Sequence, residues 1–235
     1  MTYIPSTAFE EMSGSAKGVT AAKIKNQKYI RNRGYGGSVR TSDQAKVKGD
    51  FKRLTTMWKT LANDNILAWN KLALSQQGRS VLGTGAKISG ANLFTRLNYW
   101  IVACGGQPVL VPPTLLGVEN PSSATIVCEG DTFTFKLDHT LADNGGIFLV
   151  IEATEGQSNG VSRAHSKASS IKLVEEPTAA AIDIRADYVA KNGAPSAAAP
   201  KIFFRYYYVN SSTGEKSGVM LAETTWTAAA VGGEP

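Results

Sequence analysis

Few residues in this chain of 235 could carry hydrolytic or metal chemistry. Its two histidines, His139 and His165, stand 26 positions apart, one at an expected strand end and the other in a loop. Neither has a histidine or cysteine beside it at metal-ligand spacing, so both read as surface histidines. Cys104 and Cys128 lie 24 apart without a second pair, which suits two small buried apolar residues better than a zinc site or a disulfide framework. Gly78 and Gly83 have the separation of a phosphate-binding loop, but Thr84 stands where that loop needs lysine and no strong buried strand comes before it. Glu175 and Glu176 are sequence neighbours, and a working carboxylate pair is defined by geometry rather than adjacency. The expectation is a protein that is not an enzyme and holds neither cofactor nor metal.

The basic residues form a sharper pattern. Lys17, Lys23, Lys25, Lys28, Arg31, Arg33 and Arg40 fall within 24 residues that contain no acid, interleaved with Tyr29, Tyr35 and glycines. Such a run can dock on an acidic protein surface, where opposite fields steer association. It can also neutralise nucleic-acid phosphates with strongly salt-dependent affinity, or be a solvated loop. The wider balance repeats the asymmetry: residues 1–110 carry 16 Lys+Arg against 5 Asp+Glu, and residues 111–235 carry 9 against 14. Two modules with different neighbours are expected. With 43% hydrophobic and 19% charged residues the chain can bury a core. Its first residues lack the basic and apolar runs of a secretory signal, and no segment approaches the roughly 18 apolar residues of a membrane helix, so synthesis in the cytoplasm and no membrane partner are expected.

The elements that would carry these residues change character near Gly105. Upstream, residues 18–25 and 28–33 alternate about a turn at Asn26 and Gln27 and predict a short hairpin. Ser42 then reads as the N-cap of a helix with Asp43 in its first turn. Val47, Phe51, Leu54, Trp58 and Leu61 follow at steps of four and three, one stripe of that helix. Asn63 is expected to cap a second helix with Ile66, Trp69, Leu72 and Ala73 on its stripe, and Ser89 to open a third through Phe94 and Leu97. The expected helical core is Phe51, Leu54, Trp58, Trp69, Phe94 and Trp100, with one indole per helix closing it. Residues 105–122, with Pro108, Pro112, Pro113 and Pro121, read as an extended semi-rigid linker.

Downstream the apolar period is two, in seven short runs that include TFTFKLD, IFLVI and KIFFRYYYVN. Seven short strands over about 110 residues are what an immunoglobulin-like or fibronectin-type sandwich needs. The segment RYYYVNSSTGEKSGV resembles the penultimate hairpin of fibronectin type III modules, with Tyr206 and Tyr208 on one face and a turn at residues 211–214. The fold class expected is therefore α+β and multidomain: a basic arm with a β-hairpin over residues 1–40, a three-helix module over 41–104, the linker over 105–122, and an all-β sandwich over 123–230.

The helical half brings a second resemblance. The order KNQKYIRNRG, TSDQAKVKGDFKRLTTMWKTLANDNILAWNKLA and ISGANLFTRLN is similar to an uncharacterised family found among tailed-bacteriophage structural genes. That family's pattern is matched by Thr41 and Gln44 at a helix start, by Trp58, Lys59 and Leu61, by Ala68, Trp69 and Asn70, and by Ser89, Gly90, Asn92 and Phe94. The chain departs from it at Ala62 and Ile66, where a capping threonine and a basic residue are more usual. The resemblance spans roughly residues 18–98. It implies a virion structural component assembling with other virion proteins and with copies of itself, through surface complementarity. Two rivals are a nucleic-acid-binding protein and an adhesive module whose sandwich loops take a glycan or a surface protein. For adhesion, aromatic side chains gathered at one end of the sandwich would be the sign, and Trp226 with Tyr206, Tyr207 and Tyr208 are the residues available.

Overall fold

The computed structural model of the chain describes residues 14–16, 18–24, 27–32, 41–76, 87–143 and 145–228. It forms two compact units, Met1–Leu93 and Phe94–Pro235. The division lies within the third helix rather than at Gly105. The later turns of that helix are bonded into the sandwich unit, as shown below.

In the first unit β1 (Gly14–Ala16), β2 (Val19–Ile24) and β3 (Gln27–Asn32) make an antiparallel sheet in that order, so the expected hairpin has one further short strand. Helix α1 (Ser42–Lys59) starts one residue earlier than Ser42 suggests. Thr41 is the N-cap, its hydroxyl accepting from the Gln44 amide at 3.3 Å while the Gln44 side chain accepts from the Thr41 amide at 3.3 Å. This reciprocal pair satisfies two otherwise orphaned donors, which a lone serine at position 42 would not. Helix α2 (Asn63–Leu74) is capped at Ala62, and Asn63 is its first helical residue. Ala62 has no side-chain acceptor to offer, so the helix lacks a side-chain cap. Only part of the expected stripe on α1 is covered: Leu54 is buried and Trp58 half-buried, but Val47 and Phe51 are 36% and 42% exposed. Trp69 and Ala73 of α2 are buried.

Helix α3 (Gly90–Ala103) opens with the Ser89 hydroxyl accepting from the Asn92 amide at 3.3 Å. Gly90 is pressed against α2: a Cβ there would come within 3.0 Å of the Asn70 backbone nitrogen. Only glycine fits so close an approach, which gives a packing reason for Asn70 and Gly90 in the motif order above.

The second unit is a two-sheet antiparallel sandwich. Strands β4 (Ala124–Glu129), β5 (Thr132–Leu137) and β8 (Ile182–Asp183) form one sheet in the order β4-β5-β8. Strands β6 (Ile147–Ala153), β7 (Ser169–Glu175), β9 (Lys201–Asn210) and β10 (Met220–Thr225) form the other, in the order β10-β9-β6-β7. All seven expected runs pair as strands, although the run at 180–184 keeps only two paired residues. Three strands facing four, with this order, is the arrangement of immunoglobulin and fibronectin-III-like domains. The core lies between the sheets: Phe133, Phe135 and Leu137 of β5 meet Leu149, Ile151, Phe204, Tyr206 and Tyr208. The Phe135 and Tyr206 rings meet edge to face at 5.1 Å.

Helix α4 (Arg185–Asn192) follows β8 and has no counterpart in the sequence reading. Its eight residues are too few to show a helical period. It forms because Asp183 accepts from the Arg185 amide at 2.9 Å, Gly193 supplies a positive φ of 79° after its end, and Tyr188 is fully buried with its hydroxyl donating to the Thr154 carbonyl at 3.1 Å.

The two central strands of the four-stranded sheet, β6 and β9, are buried on both faces, while the edge strands β7 and β10 alternate with exposed residues. The outward residues Val150, Tyr207 and Val209 form their own small core with Trp100 and Cys104 at the end of α3. This explains why β6 and β9 are almost continuously apolar. Trp100 therefore belongs to the sandwich and not to a helical core: its ring meets Tyr207 edge to face at 5.7 Å. Phe94, also expected in that core, is buried and falls in the sandwich unit.

Residues 105–122 lack regular structure, as their prolines require, yet they do not act as a free linker. Asn98, fully buried on α3, accepts from the Val109 amide at 2.6 Å and donates to the Val109 carbonyl at 3.2 Å. Glu215 takes the amides of Leu116 and Gly117, Asn120 takes that of Gly218 at 2.7 Å, and the Tyr206 hydroxyl donates to the Ser122 carbonyl at 3.1 Å. The segment is a strap bound along the sandwich.

Candidate functional site

Three of the seven basic residues proposed for docking lie among the described residues. Lys23 and Lys28 are direct partners in the β2–β3 register, and Arg31 is paired with Thr20. Alternation puts Lys23 and Lys28 on one face of the small sheet and Arg31 on the other. Lys23 and Arg31 are exposed and Lys28 is half-buried. Lys17, Lys25, Arg33 and Arg40 lie outside the described residues.

A larger positive surface comes from α1. Its residues 42–53 are exposed almost throughout and display Lys46, Lys48, Lys52 and Arg53 besides Val47 and Phe51, with Asp43 and Asp50 the acids of this stretch. The stripe that sequence periodicity assigns to a core is, over this stretch, an exposed surface on which Val47 and Phe51 share a face with Asp43 and Asp50 and are flanked by Lys46 and Lys48. Periodicity finds a face; it does not say whether anything covers it.

Of the residues considered for chemistry, Gly78, Gly83 and Thr84 lie outside the described residues, whereas both histidines lie within them. His165 lies edge-on to the Phe203 ring at 4.9 Å, with Nε2 3.3 Å from the Ala222 carbonyl. His139 is exposed, and its backbone amide and carbonyl both bond the Ser122 hydroxyl. Among the described residues no group of three His, Cys, Asp or Glu could hold a metal ion, and no helix is long and apolar enough to cross a membrane.

Both cysteines are free thiols. Burial pushes Cys128 up to about 12 and Cys104 up to about 11, the latter helped by the Glu175 charge. Since the thiolate is the nucleophile, neither thiol is reactive near neutrality. The unfolded chain ionises its thiols from the ordinary value of 9.0, so above that pH the folded chain keeps protons that the unfolded one releases. The stabilisation is complete below pH 9 and lost as pH climbs through 11 to 12. Urea midpoints should fall as pH rises above 9, and native thiols should label slowly with a disulfide reagent at pH 8 while the unfolded chain labels fast. Rapid native labelling would contradict the assignment.

A polar cluster pins α3 to the outer sheet face. Lys216 Nζ sits 3.3 Å from the Tyr207 ring centroid and 5.8 Å from that of Trp100. The Tyr207 hydroxyl donates to Glu152 at 2.6 Å, and Arg205 pairs with the same carboxylate at 3.4 Å. Burial lowers the Lys216 pKa from its ordinary value, against the opposing pull of Glu152, and burial together with the Glu152 bond raises that of Tyr207. Sequence reasoning missed this cluster, as it missed Asn98. The available signal for Asn98 was a polar residue inside the apolar face Leu93, Phe94, Leu97, Ile101, where burial demands hydrogen-bond partners.

No family model matches the chain, and no curated protein matches it. Among solved structures the chain is similar to the fibronectin type-III domain of human fibronectin type III domain containing protein 3, at 19% identity and a TM-score of 0.31. That match covers 52% of this chain and 98% of the other. The strand order and the two-sheet core, rather than so distant a likeness, carry the fold assignment. The aromatic residues named for adhesion do not form a platform: Tyr206, Tyr207 and Tyr208 are buried, and Trp226 is half-buried, with its indole donating to the Gly130 carbonyl at 3.2 Å.

Proposed function

We propose that the chain is a non-enzymatic structural component of a tailed-phage particle, attached through its basic first unit to an acidic protein surface of the assembly. The observation that carries this reading is the exposed stretch of α1 over residues 42–53, where Val47 and Phe51 stand beside Lys46, Lys48, Lys52 and Arg53, with Asp43 and Asp50 the acids. Apolar side chains flanked by an excess of cations, four basic residues to the two acids Asp43 and Asp50, suit a protein partner, which supplies both apolar contact area and opposite charge. A phosphate backbone would use the cations alone. The acid-free basic run before residue 41 extends the same field, and the order of motifs over residues 18–98 resembles the phage structural family described above. The sandwich unit, with 9 basic against 14 acidic residues after position 110, has the opposite charge balance and suits a different neighbour, including other copies of the chain. Many copies on a symmetric particle would sum weak contacts into stable attachment.

The test is incorporation into assembled particles. Deleting residues 1–40 should abolish it, and Phe51→Ala combined with Lys52→Glu should reduce it in the otherwise intact chain. Normal incorporation of both variants would overturn the proposal. Salt-sensitive binding of the chain to duplex DNA, with no capture by particles, would favour the nucleic-acid reading instead.

A further inference from the structure

Helix α2 is apolar on two sides. Ile66, Trp69, Leu72 and Ala73 form the covered side, with Trp69 and Ala73 buried. On the side turned away from Trp69 the helix carries Leu67 and Leu74, 65% and 76% exposed. Asp64 and Lys71, both exposed, fall on the same stripe, so Asp64, Leu67, Lys71 and Leu74 follow one another at steps of three, four and three. That spacing is the seam of one helix laid along another. A single exposed leucine is ordinary, but two in line opposite the core are contact area that nothing among the described residues uses.

The charges on this stripe say what fits it. Asp64 and Lys71 are the two charged residues of α2. They stand about 10 Å apart along the axis, too far to pair with each other, and among the described residues neither forms an ion pair elsewhere. The face therefore has no net charge and one sign beside each leucine. An acidic surface of the kind proposed for α1 would meet Asp64 as well as Lys71. A helix that carries the same stripe in the opposite direction meets both with the opposite sign.

We propose that this face pairs with the same face of a second copy of the chain, the two α2 helices running antiparallel about a two-fold axis level with residue 69. In that register Asp64 of each copy lies within one turn of the other copy's Lys71, and the four leucines make one continuous line of contact. A parallel pair would set Asp64 against Asp64 and Lys71 against Lys71, like charge on like. Four side chains from each copy cover far less than the roughly 800 Å² per partner of a stable interface, so the dimer is weak, with a Kd of about 0.1 mM. The pairing uses none of the α1 surface proposed for attachment and stands or falls without it.

Sedimentation of the full-length chain up to about 1 mM, ten times that Kd, should show its average mass climbing from monomer toward dimer. Leu67→Ser combined with Leu74→Ser changes exposed positions only. It should leave the urea midpoint nearly unchanged and weaken association by about tenfold or more. Charge reversal tests the direction of pairing. Asp64→Lys and Lys71→Asp should each self-associate less than the parent chain, yet an equimolar mixture of the two should associate as well as the parent, because every facing pair is then opposite in sign. A variant that merely folds badly gains nothing from mixing. A chain still monomeric at 1 mM would overturn the proposal. Association that persists in the leucine double variant, or a mixture that associates no better than its components, would overturn it equally.

Discussion

Gly214→Ala should destabilise the chain by about 3 kcal/mol or more, a larger loss than a conformational penalty alone produces. Gly214 closes the turn between β9 and β10 with φ at +71°, where any side chain is strained. A Cβ at this position would also fall within 3.0 Å of the backbone carbonyl of Leu97 on α3. Neither side can yield easily. The turn is locked by Asn210, whose side chain accepts from the Ser212 and Thr213 amides and whose carbonyl accepts from the Gly214 amide at 2.8 Å. Leu97 itself is buried on a helix held down by Trp100 and Asn98. Gly105→Ala is the control, because Gly105, in the left-handed turn that ends α3, has φ at +85° but nothing within 4 Å of its would-be Cβ. It should cost only about 1 kcal/mol. Urea unfolding of the two variants separates the terms, and equal losses would show that the approach to Leu97 contributes nothing.

Trp69→Ala should cost about 3–5 kcal/mol, while Phe51→Ala should cost less than about 1 kcal/mol. Trp69 is 0% exposed, so truncation leaves a cavity the size of an indole; Phe51 is 42% exposed, and its removal opens none. The same pair of variants also bears on function. Phe51→Ala should leave stability nearly intact and still weaken particle incorporation, which separates a docking residue from a core residue. A large loss of stability in Phe51→Ala would place it in the core after all.

The two faces of β9 show how far local pattern reaches. Alternation identifies Ile202, Phe204, Tyr206 and Tyr208 as one face, and that face does fill the space between the sheets. The opposite face, with Tyr207 and Val209, is equally buried because α3 lies across it. Its apolar character is visible in the chain, but the identity of the covering element is not, since Trp100 and Tyr207 are more than a hundred residues apart. The strap is a similar case. Prolines exclude regular structure over residues 105–122, yet whether an extended segment floats or is tied down depends on acceptors such as Glu215 that the tertiary fold brings to it.

Local physics is thus written in the order of residue types: the start of α1 to within one residue, the helical steps of α2 and α3, the period of two in the sandwich strands, and the uneven charge of the two halves. These follow from backbone geometry and side-chain type within a few residues of each other, and they appear in the structure as such. What covers each face was decided only by long-range packing. The exposed stretch of α1, the exposed outer side of α2, the transfer of Trp100 to the sandwich and the bound strap all turn on which distant segment comes to rest against a residue. A period or a propensity has no term for that contact, because burial belongs to pairs of surfaces and not to either segment alone.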